Sequence, residues 1–281
     1  MKRAPSASFV ERLRAAWHSR DSLVCVGLDP ELERLPAALG REHESIYRFN
    51  CAVIDATADL VCAYKPQIAH YAAVGAEREL ERTIAYVHAV HPDIPVLLDA
   101  KRGDVGHTAE RYAIEAFERY GADAVTVNPY LGSDSLAPFL KYRDRGVFVV
   151  CRTSNAGARD LQDLETGGGR LFEAVARLAA TAWNEHGNCG LVVGATYPRD
   201  LAAVRAIVDD MPLLLPGVGA QGGDVAAAVT SGRTARGDGL LVSSSRAILY
   251  ASGGADFAAA ARLATQALRG DINRHRGPPT Q

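Results

Sequence analysis

The stretch 95-PVLLDAKRGD-104 places a short apolar run directly before a dense group of charges. A continuous apolar run of this length is typical of a strand that is buried on both faces, as in a parallel sheet. Residues two apart on a strand face the same side, so we expect Asp99 and Lys101 to point together into one site. Asp104 lies just beyond the strand, in the loop that leads to the next helix.

Seven further runs of the same kind follow the same pattern along the chain. The eight runs are Leu23–Asp29, Leu60–Gln67, Pro95–Lys101, Ala124–Tyr130, Gly146–Ser154, Gly190–Thr196, Pro212–Gln221 and Gly239–Arg246. Amphipathic stretches between them predict helices, for example at Thr108–Tyr120, Gly169–Glu185 and Asp224–Ser231. Eight βα units predict an α/β protein with a single (β/α)8 TIM barrel. A doubly wound open sheet is the competing architecture, and the count of eight strands disfavours it.

The segments outside these units complete the predicted architecture. Ser8–Ser19 has a helical pattern, and we expect this helix to close the bottom of the barrel. We expect Asn155–Gly169, with four glycines, and Ser231–Gly239 to be loops. The polar, Pro-rich tail at 270–281 is expected to be disordered. Because no repeat or linker divides the chain, we predict one domain over residues 1–281.

The composition narrows the class of protein. The chain has 281 residues, 48% of them apolar and 23% charged, with a formal net charge of −2. This balance is ordinary for a soluble enzyme and does not favour nucleic acid as a partner. The apolar runs are too short for a membrane span, and the N-terminus lacks the apolar core of a secretory signal. Five cysteines without a CxxC pair indicate reduced thiols in a cytoplasmic protein.

Charged and polar residues stand at the predicted strand ends, where barrels gather their catalytic groups. They are Asp29, Lys65, Asp99, Lys101, Ser154 and Arg246. A lysine flanked by two carboxylates is expected to stay protonated, which suits a proton donor better than a nucleophile. Lys65 would balance the charge of the acids. The alternatives are a surface ion-pair network for Asp99 and Lys101 and a snorkelling side chain for Lys65.

A glycine-rich segment, 216-PGVGAQGGD-224, contains the pattern G-x-G-x-x-G. It follows the seventh run rather than the first, and no acid ends the next strand at the expected distance. A phosphate-binding loop is therefore a better interpretation than a dinucleotide fingerprint. Gln221 and Arg246 supply side-chain donors there, although Arg246 could equally be an ordinary surface arginine. The scattered histidines, His107 among them, form no metal motif, so we predict no metal site.

The motif D-A-K-R-G-D at 99–104 resembles the D-x-K-x-x-D signature of the orotidine 5'-phosphate decarboxylases. The resemblance runs from GLDP at 27–30 to SSSRAILYA at 243–251, with AYKPQ, CRTSN, VVGATYP and PGVGAQGGD between them in order. The phrases RGDVGHTAE and VVGATYP are most similar to the bacterial long-form (type 2) branch.

The resemblance implies that orotidine 5'-phosphate is converted to UMP and CO2 without a metal or an organic cofactor, as the last step of de novo pyrimidine nucleotide synthesis. It implies that Lys101 protonates C6 of the pyrimidine and that Asp99 lies near the departing carboxylate. It also implies a homodimer in which Asp104 enters the neighbouring subunit's site, with Thr108 beside it.

The substrate contacts that the resemblance implies are made by residues at the strand ends. They are Asp29 and Lys65 at the ribose hydroxyls, Ser154 at the pyrimidine ring, Pro216 at the pocket wall, and Gln221 and Arg246 at the 5'-phosphate. Ser245 stands where shorter members often have glycine. Its backbone N–H can still donate, so we expect little change.

Two other functions remain open. The first is a Mg²⁺-dependent ketose-phosphate decarboxylase or aldolase, which shares the D-x-K-x-x-D motif but tends to carry a glutamate ligand on strand two. Lys65 at that place would repel Mg²⁺. The second is a non-catalytic barrel that senses a nucleotide phosphate, which would have little use for a lysine between two aspartates.

Overall fold

The structure is a computed structural model that describes residues 7–217 and 224–277. Eight parallel strands follow one another in these residues, one at each predicted run. They are β1 (Val24–Leu28), β2 (Ala63–Pro66), β3 (Leu97–Arg102), β4 (Ala124–Val127), β5 (Gly146–Arg152), β6 (Cys189–Val193), β7 (Leu213–Pro216) and β8 (Leu240–Ser244). Most end earlier than predicted, because the polar residues after them form loops at the carboxyl ends.

The eight strands form a near-closed barrel. Hydrogen-bonded neighbours run in the order β2-β1-β8-β7-β6-β5-β4-β3. The two outer strands of this order, β2 and β3, meet through the bridges Tyr64–Val96 and Gln67–Asp99. The predicted barrel is therefore confirmed, since an open sheet would leave these two strands unpaired.

Helices surround the barrel and alternate with its strands. They are α1 (Phe9–Ser19), α2 (His43–Thr57), α3 (Ile68–Ala72), α4 (Glu77–Val90), α5 (Gly106–Ile114), α6 (Ser133–Leu140), α7 (Leu171–Ala180), α8 (Pro198–Val208), α9 (Val225–Gly232), α10 (Arg246–Leu249) and α11 (Phe257–Arg276). A π-helical turn, Glu115–Arg119, extends α5. None of the helices in the described ranges has the length and apolarity that crossing a membrane requires.

Helix α1 lies across the amino-terminal end of the barrel, as predicted. Ser8 caps it, with its hydroxyl accepting from the N–H of Glu11. The Phe9 ring packs edge-on against Phe148 at a centroid distance of 5.8 Å. It also fills the space beside Gly146, the first residue of β5. The carboxyl-terminal end of the barrel is left open for a site.

The prediction of a disordered tail was wrong for residues 270–276, because they form the last two turns of α11. Ile272 is fully buried there and anchors the end of the helix. The side chains of Asn273 and Arg276 also donate hydrogen bonds to Asp21, in the turn that follows α1. Residues 278–281 lie outside the described residues.

Candidate active site

A cavity of about 230 Å³ opens at the carboxyl-terminal ends of β1, β2, β3, β7 and β8. Its lining includes five of the predicted site residues: Asp29, Lys65, Asp99, Pro216 and Arg246. These residues come from distant parts of the chain, and parallel strands bring them to one end of the barrel.

Lys65 is a buried ammonium group at the base of this cavity. Its Nζ lies 3.1 Å from Oδ2 of Asp99 and 3.9 Å from Oδ1 of Asp29. Burial alone would lower the pKa of Lys65, but the two carboxylates outweigh it and raise the pKa above its ordinary value. Lys65 is therefore a fixed positive charge between two acids, rather than a snorkelling side chain.

Asp99 joins Lys65 to Lys101. Its Oδ1 accepts a hydrogen bond of 2.7 Å from Nζ of Lys101 and another of 2.7 Å from Oγ1 of Thr126. Burial alone would raise the pKa of Asp99, but the two lysines hold it below its ordinary value, helped by the hydrogen bonds. Asp99 is thus an anion held in place from three sides. The side chain of Lys101 is 43% exposed, so its ammonium group remains open to a ligand.

The meeting of Asp99 with Lys101 was predicted for the wrong reason. Regular alternation would place both side chains on one face of a flat strand. Instead, β3 contains a β-bulge here. Leu98 pairs with Val125 and Arg102 pairs with Val127, so three residues of β3 lie opposite a single residue of β4. Lys101 has a φ of +47°, in the left-handed region that side chains rarely adopt. The bulge turns the lysine back over the carboxylate.

The predicted phosphate end is described in part. Arg246 is the first residue of α10 and is separated from the end of β8 by Ser245 alone. Its side chain is exposed and makes no hydrogen bond or ion pair with any other described residue. Pro216 ends β7 and pairs in the sheet with Ser243. Gln221, together with Gly219 and Gly222, lies outside the described residues.

Asp104 and Thr108 lie apart from the cavity within this chain. Asp104 accepts a hydrogen bond from the N–H of Val105, and Thr108 is in the first turn of α5. Neither residue lines the cavity. Apolar side chains nearby are strongly exposed, with Val105 at 50% and Tyr130 at 77%. Leu131, beside Tyr130 in the chain, is also exposed.

Ser154 follows β5 and stands outside the cavity lining. It packs against Gly194, where a Cβ atom would lie 3.0 Å from the Ser154 backbone nitrogen. Thr153, the residue before Ser154, is bound to the long segment after β5 by two hydrogen bonds. The N–H of Thr153 donates to Oε1 of Gln162, and the Gln162 amide nitrogen donates to the Thr153 hydroxyl.

The long segment after β5 contains short elements of secondary structure, although Asn155–Gly169 was predicted as a loop. It contains a 3-10 helix, Ala156–Asp160, and a hairpin of two-residue strands, Glu165–Thr166 and Gly169–Arg170. Arg152, buried at the end of β5, holds it. The Arg152 guanidinium lies 3.0 Å from Asp163 in the segment and 3.0 Å from Asp200 in α8.

Sequence reasoning missed five polar residues of the site. Gln67, His70, Ser243 and Ser244 line the cavity, and Thr126 holds Asp99. Thr126 and the two serines carried a usable signal, since each is a hydroxyl inside or at the end of a strand buried on both faces. Such hydroxyls need partners, and Thr126 finds one in the carboxylate of Asp99.

The cavity presents fixed cations and anions rather than a metal-binding cluster. Within residues 7–217 and 224–277, no group of three or more His, Cys, Asp or Glu side chains is arranged to hold a metal ion. Chemically, the arrangement offers an exposed ammonium group, Lys101, beside a carboxylate that stays ionised. It suits a reaction in which negative charge develops on a substrate next to Lys101.

Comparisons with a family model and with named relatives point to the same protein family. The model of the orotidine 5'-phosphate decarboxylase / HUMPS family matches residues 22–262. A protein of Aromatoleum aromaticum named orotidine 5'-phosphate decarboxylase is 61% identical, over 95% of this chain and 99% of its own length. One of Azoarcus sp. with the same name is 60% identical over the same shares.

Solved structures agree with this assignment. The OMP decarboxylase of Leishmania donovani superposes with a TM-score of 0.83 at 40% identity, covering 96% of this chain and 98% of that one. Its likeness extends over the whole barrel rather than over a motif. The chain belongs to the orotidine 5'-phosphate decarboxylase / HUMPS family.

Proposed function

We propose that this chain is an orotidine 5'-phosphate decarboxylase that forms UMP and CO2 as the last step of de novo pyrimidine nucleotide synthesis. The observation that carries the proposal is the row of alternating charges Lys65–Asp99–Lys101 at the mouth of the barrel. Full-length relatives that are about 60% identical and bear this name support it.

The reaction breaks the bond between C6 of the pyrimidine and its carboxylate. CO2 leaves, and the electron pair of the broken bond stays on C6. The ammonium group of Lys101 stabilises this charge and then transfers one proton to C6. The neutral amine regains its proton from water. Atoms and electrons are therefore balanced in this reaction without an oxidant, a reductant or an organic cofactor.

Asp99 serves as a fixed negative charge near the departing carboxylate and as the anchor of Lys101. Two carboxylates so close repel each other, and the repulsion falls when CO2 leaves. Lys65 and Asp29 hold the ribose hydroxyls, since an ammonium group donates to a hydroxyl and a carboxylate accepts from one. Their ion pair, with 3.9 Å between Nζ of Lys65 and Oδ1 of Asp29, keeps both side chains oriented.

The remaining substrate contacts lie around this centre. Arg246 and Gln221 bind the 5'-phosphate, Pro216 walls the pocket, and Ser154 contacts the pyrimidine ring. The exposed guanidinium of Arg246, unpaired among the described residues, supports a phosphate partner. Because the phosphate is remote from C6, its binding energy can drive closure and exclude water.

The functional unit is a cytoplasmic homodimer with shared sites, in which Asp104 and Thr108 act on the neighbouring subunit's substrate. Support comes from the exposed apolar side chains beside them, Val105, Tyr130 and Leu131. Burying such side chains is the usual driving force for dimer formation. The five cysteines carry no disulfide, which fits a reducing compartment.

The Mg²⁺-dependent ketose-phosphate reaction is disfavoured by Lys65. Its ammonium group lies within 4 Å of both Asp29 and Asp99, where a divalent cation would need those carboxylates. Placing Mg²⁺ there would set two positive groups against each other at short distance.

The test follows the absorbance of orotidine 5'-phosphate after adding the purified protein, with and without EDTA. We expect the same loss of absorbance in both. Turnover that EDTA abolishes and Mg²⁺ restores would favour the metal-dependent reaction. UMP binding without any turnover would favour a nucleotide sensor.

A further inference from the structure

We propose that Thr126 is a positioning residue that sets Lys101 and Asp99 in their reactive arrangement. The proposal rests on the proposed function, because it assigns Thr126 a part in the same proton transfer. Thr126 lies in the middle of β4, is fully buried, and does not line the cavity. It therefore acts through other residues rather than on the substrate.

The register of the sheet places Thr126 opposite the bulge in β3. Leu98 pairs with Val125 and Arg102 pairs with Val127, so three residues of β3 face Thr126 alone. The N–H groups in a bulge lose their regular partners in the neighbouring strand. A buried N–H without a partner is costly, so this backbone needs an acceptor from elsewhere.

The Thr126 hydroxyl supplies that acceptor twice. Its Oγ1 accepts hydrogen bonds of 2.9 Å from the N–H groups of both Ala100 and Lys101. The same hydroxyl donates its proton to Oδ1 of Asp99 at 2.7 Å. One donor and two acceptor sites are all that a hydroxyl has, so its capacity is used in full.

This single hydroxyl thus links the two proposed catalytic side chains. It holds the backbone of Lys101 at a φ of +47°, which a lysine adopts only when its surroundings require it. It also fixes the carboxylate oxygen that receives the Lys101 ammonium at 2.7 Å. Without the hydroxyl, the bulge can relax, and both the backbone and the anchor of Lys101 are free to move.

The test compares Thr126→Val, which keeps the shape but removes the hydroxyl, with Thr126→Ser, which keeps the hydroxyl. We expect Thr126→Val to lower kcat for orotidine 5'-phosphate by roughly 10- to 100-fold, the cost of misplacing a reacting group. The dissociation constant for UMP should stay within a few-fold of the parent. Thr126→Ser should recover most of kcat.

In Thr126→Val, a methyl group takes the place of the hydroxyl and lies against the N–H groups of Ala100 and Lys101, which could prevent folding. Thr126→Ala is the second variant, because it removes the hydroxyl without placing a methyl group there. Thr265→Val is the matched control: Thr265 is equally buried, and its hydroxyl bonds to the Ala261 carbonyl in α11, far from the site. This control should lose stability without losing kcat.

Three outcomes would overturn the proposal. They are a kcat within about threefold of the parent in the variants lacking the hydroxyl, an equal loss of kcat and UMP affinity, or a Thr126→Ser variant no better than Thr126→Val. The expected losses lie well above that threefold margin. Turnover by the parent is measured alongside, so failure of the proposed function would appear separately as an inactive parent.

Discussion

Ser245 fills the space beside Gly27. A Cβ atom on Gly27 would lie 1.9 Å from Oγ and 2.9 Å from Cβ of Ser245. The two residues face each other because β1 and β8 pair in register, with Val26 opposite Ser244. The contact with the Ser245 Cβ means that turning the hydroxyl away would not make room. Gly27 and Ser245 are therefore matched in size. Ser245 is also the residue directly before Arg246.

This match predicts a non-additive pair of substitutions. Gly27→Ala should lower the free energy of unfolding by about 1–3 kcal/mol, the usual cost of overpacking. Adding Ser245→Gly should recover most of that loss, since it removes both clashing atoms. Urea unfolding of the parent, the two single variants and the double variant measures the coupling. Simple addition of the two single effects would show that the residues do not compete for space.

Lys101→Ala should abolish turnover while the barrel stays folded. General acid catalysis alone contributes roughly 10²–10⁴-fold, and Lys101 also stabilises the developing charge. The measurement is kcat for orotidine 5'-phosphate, with UMP binding as the check on folding. Lys141→Ala, at an exposed lysine after α6, is the matched control and should be fully active. If Lys101→Ala keeps turnover within about tenfold of the parent, another group donates the proton.

Arg246→Ala should weaken recognition of the phosphate. Removing one partner of a charge pair that substrate binding buries costs on the order of 2–5 kcal/mol, which should appear in kcat/KM. The comparison is with orotidine, which lacks the phosphate and should be affected little. Arg14→Ala, at an exposed arginine of α1 on the opposite end of the barrel, controls for lost surface charge. An equal effect on both substrates would remove Arg246 from the phosphate site.

Mixed dimers test the shared site. Lys101→Ala and Asp104→Ala, each inactive alone, are unfolded and refolded together. If Asp104 acts on its neighbour, a mixed dimer has one site with both defects and one site with neither, so activity returns. If Asp104 serves its own chain, every site keeps one defect. An inactive mixture, despite mixed dimers confirmed by differently tagged chains, would place Asp104 in its own subunit's site.

The lowered pKa of Asp99 predicts a dependence of stability on pH. A carboxyl with a depressed folded-state pKa contributes stability above its unfolded value of about 3.9, and this contribution is lost as the pH falls through the folded pKa. The gap in unfolding free energy between the parent and Asp99→Asn should therefore narrow as the pH falls below about 5, and it should go on narrowing towards the lowered folded-state pKa of Asp99. Urea titrations at several pH values measure it.

Asp93→Asn is the control for this titration, because Asp93 is largely exposed and pairs only loosely with Arg20 at 3.4 Å. Its gap from the parent should stay small and nearly constant. A gap for Asp99→Asn that does not change as the pH falls would show that the folded state does not lower the pKa of Asp99, because the lysines and hydrogen bonds would then do no more than offset its burial.

The sequence by itself determined the barrel and the location of its site. Eight apolar runs, each buried on both faces, can satisfy their backbone groups together only in a parallel sheet surrounded by helices. Parallel strands put their carboxyl ends at one edge, so Asp29, Lys65, Asp99 and Arg246 had to approach one another. These conclusions need only local patterns and the direction of the strands.

The tertiary structure alone decided how these side chains meet. The bulge at Lys101 depends on which residue of β4 lies opposite, and no pattern within β3 reveals that Thr126 accepts its two N–H groups. The fit of Gly27 to Ser245 likewise joins residues more than two hundred positions apart. The helical end of α11 depends on contacts with Asp21 that outweigh its polar composition. Each feature is set by a partner distant in sequence, and local propensity carries no record of that partner.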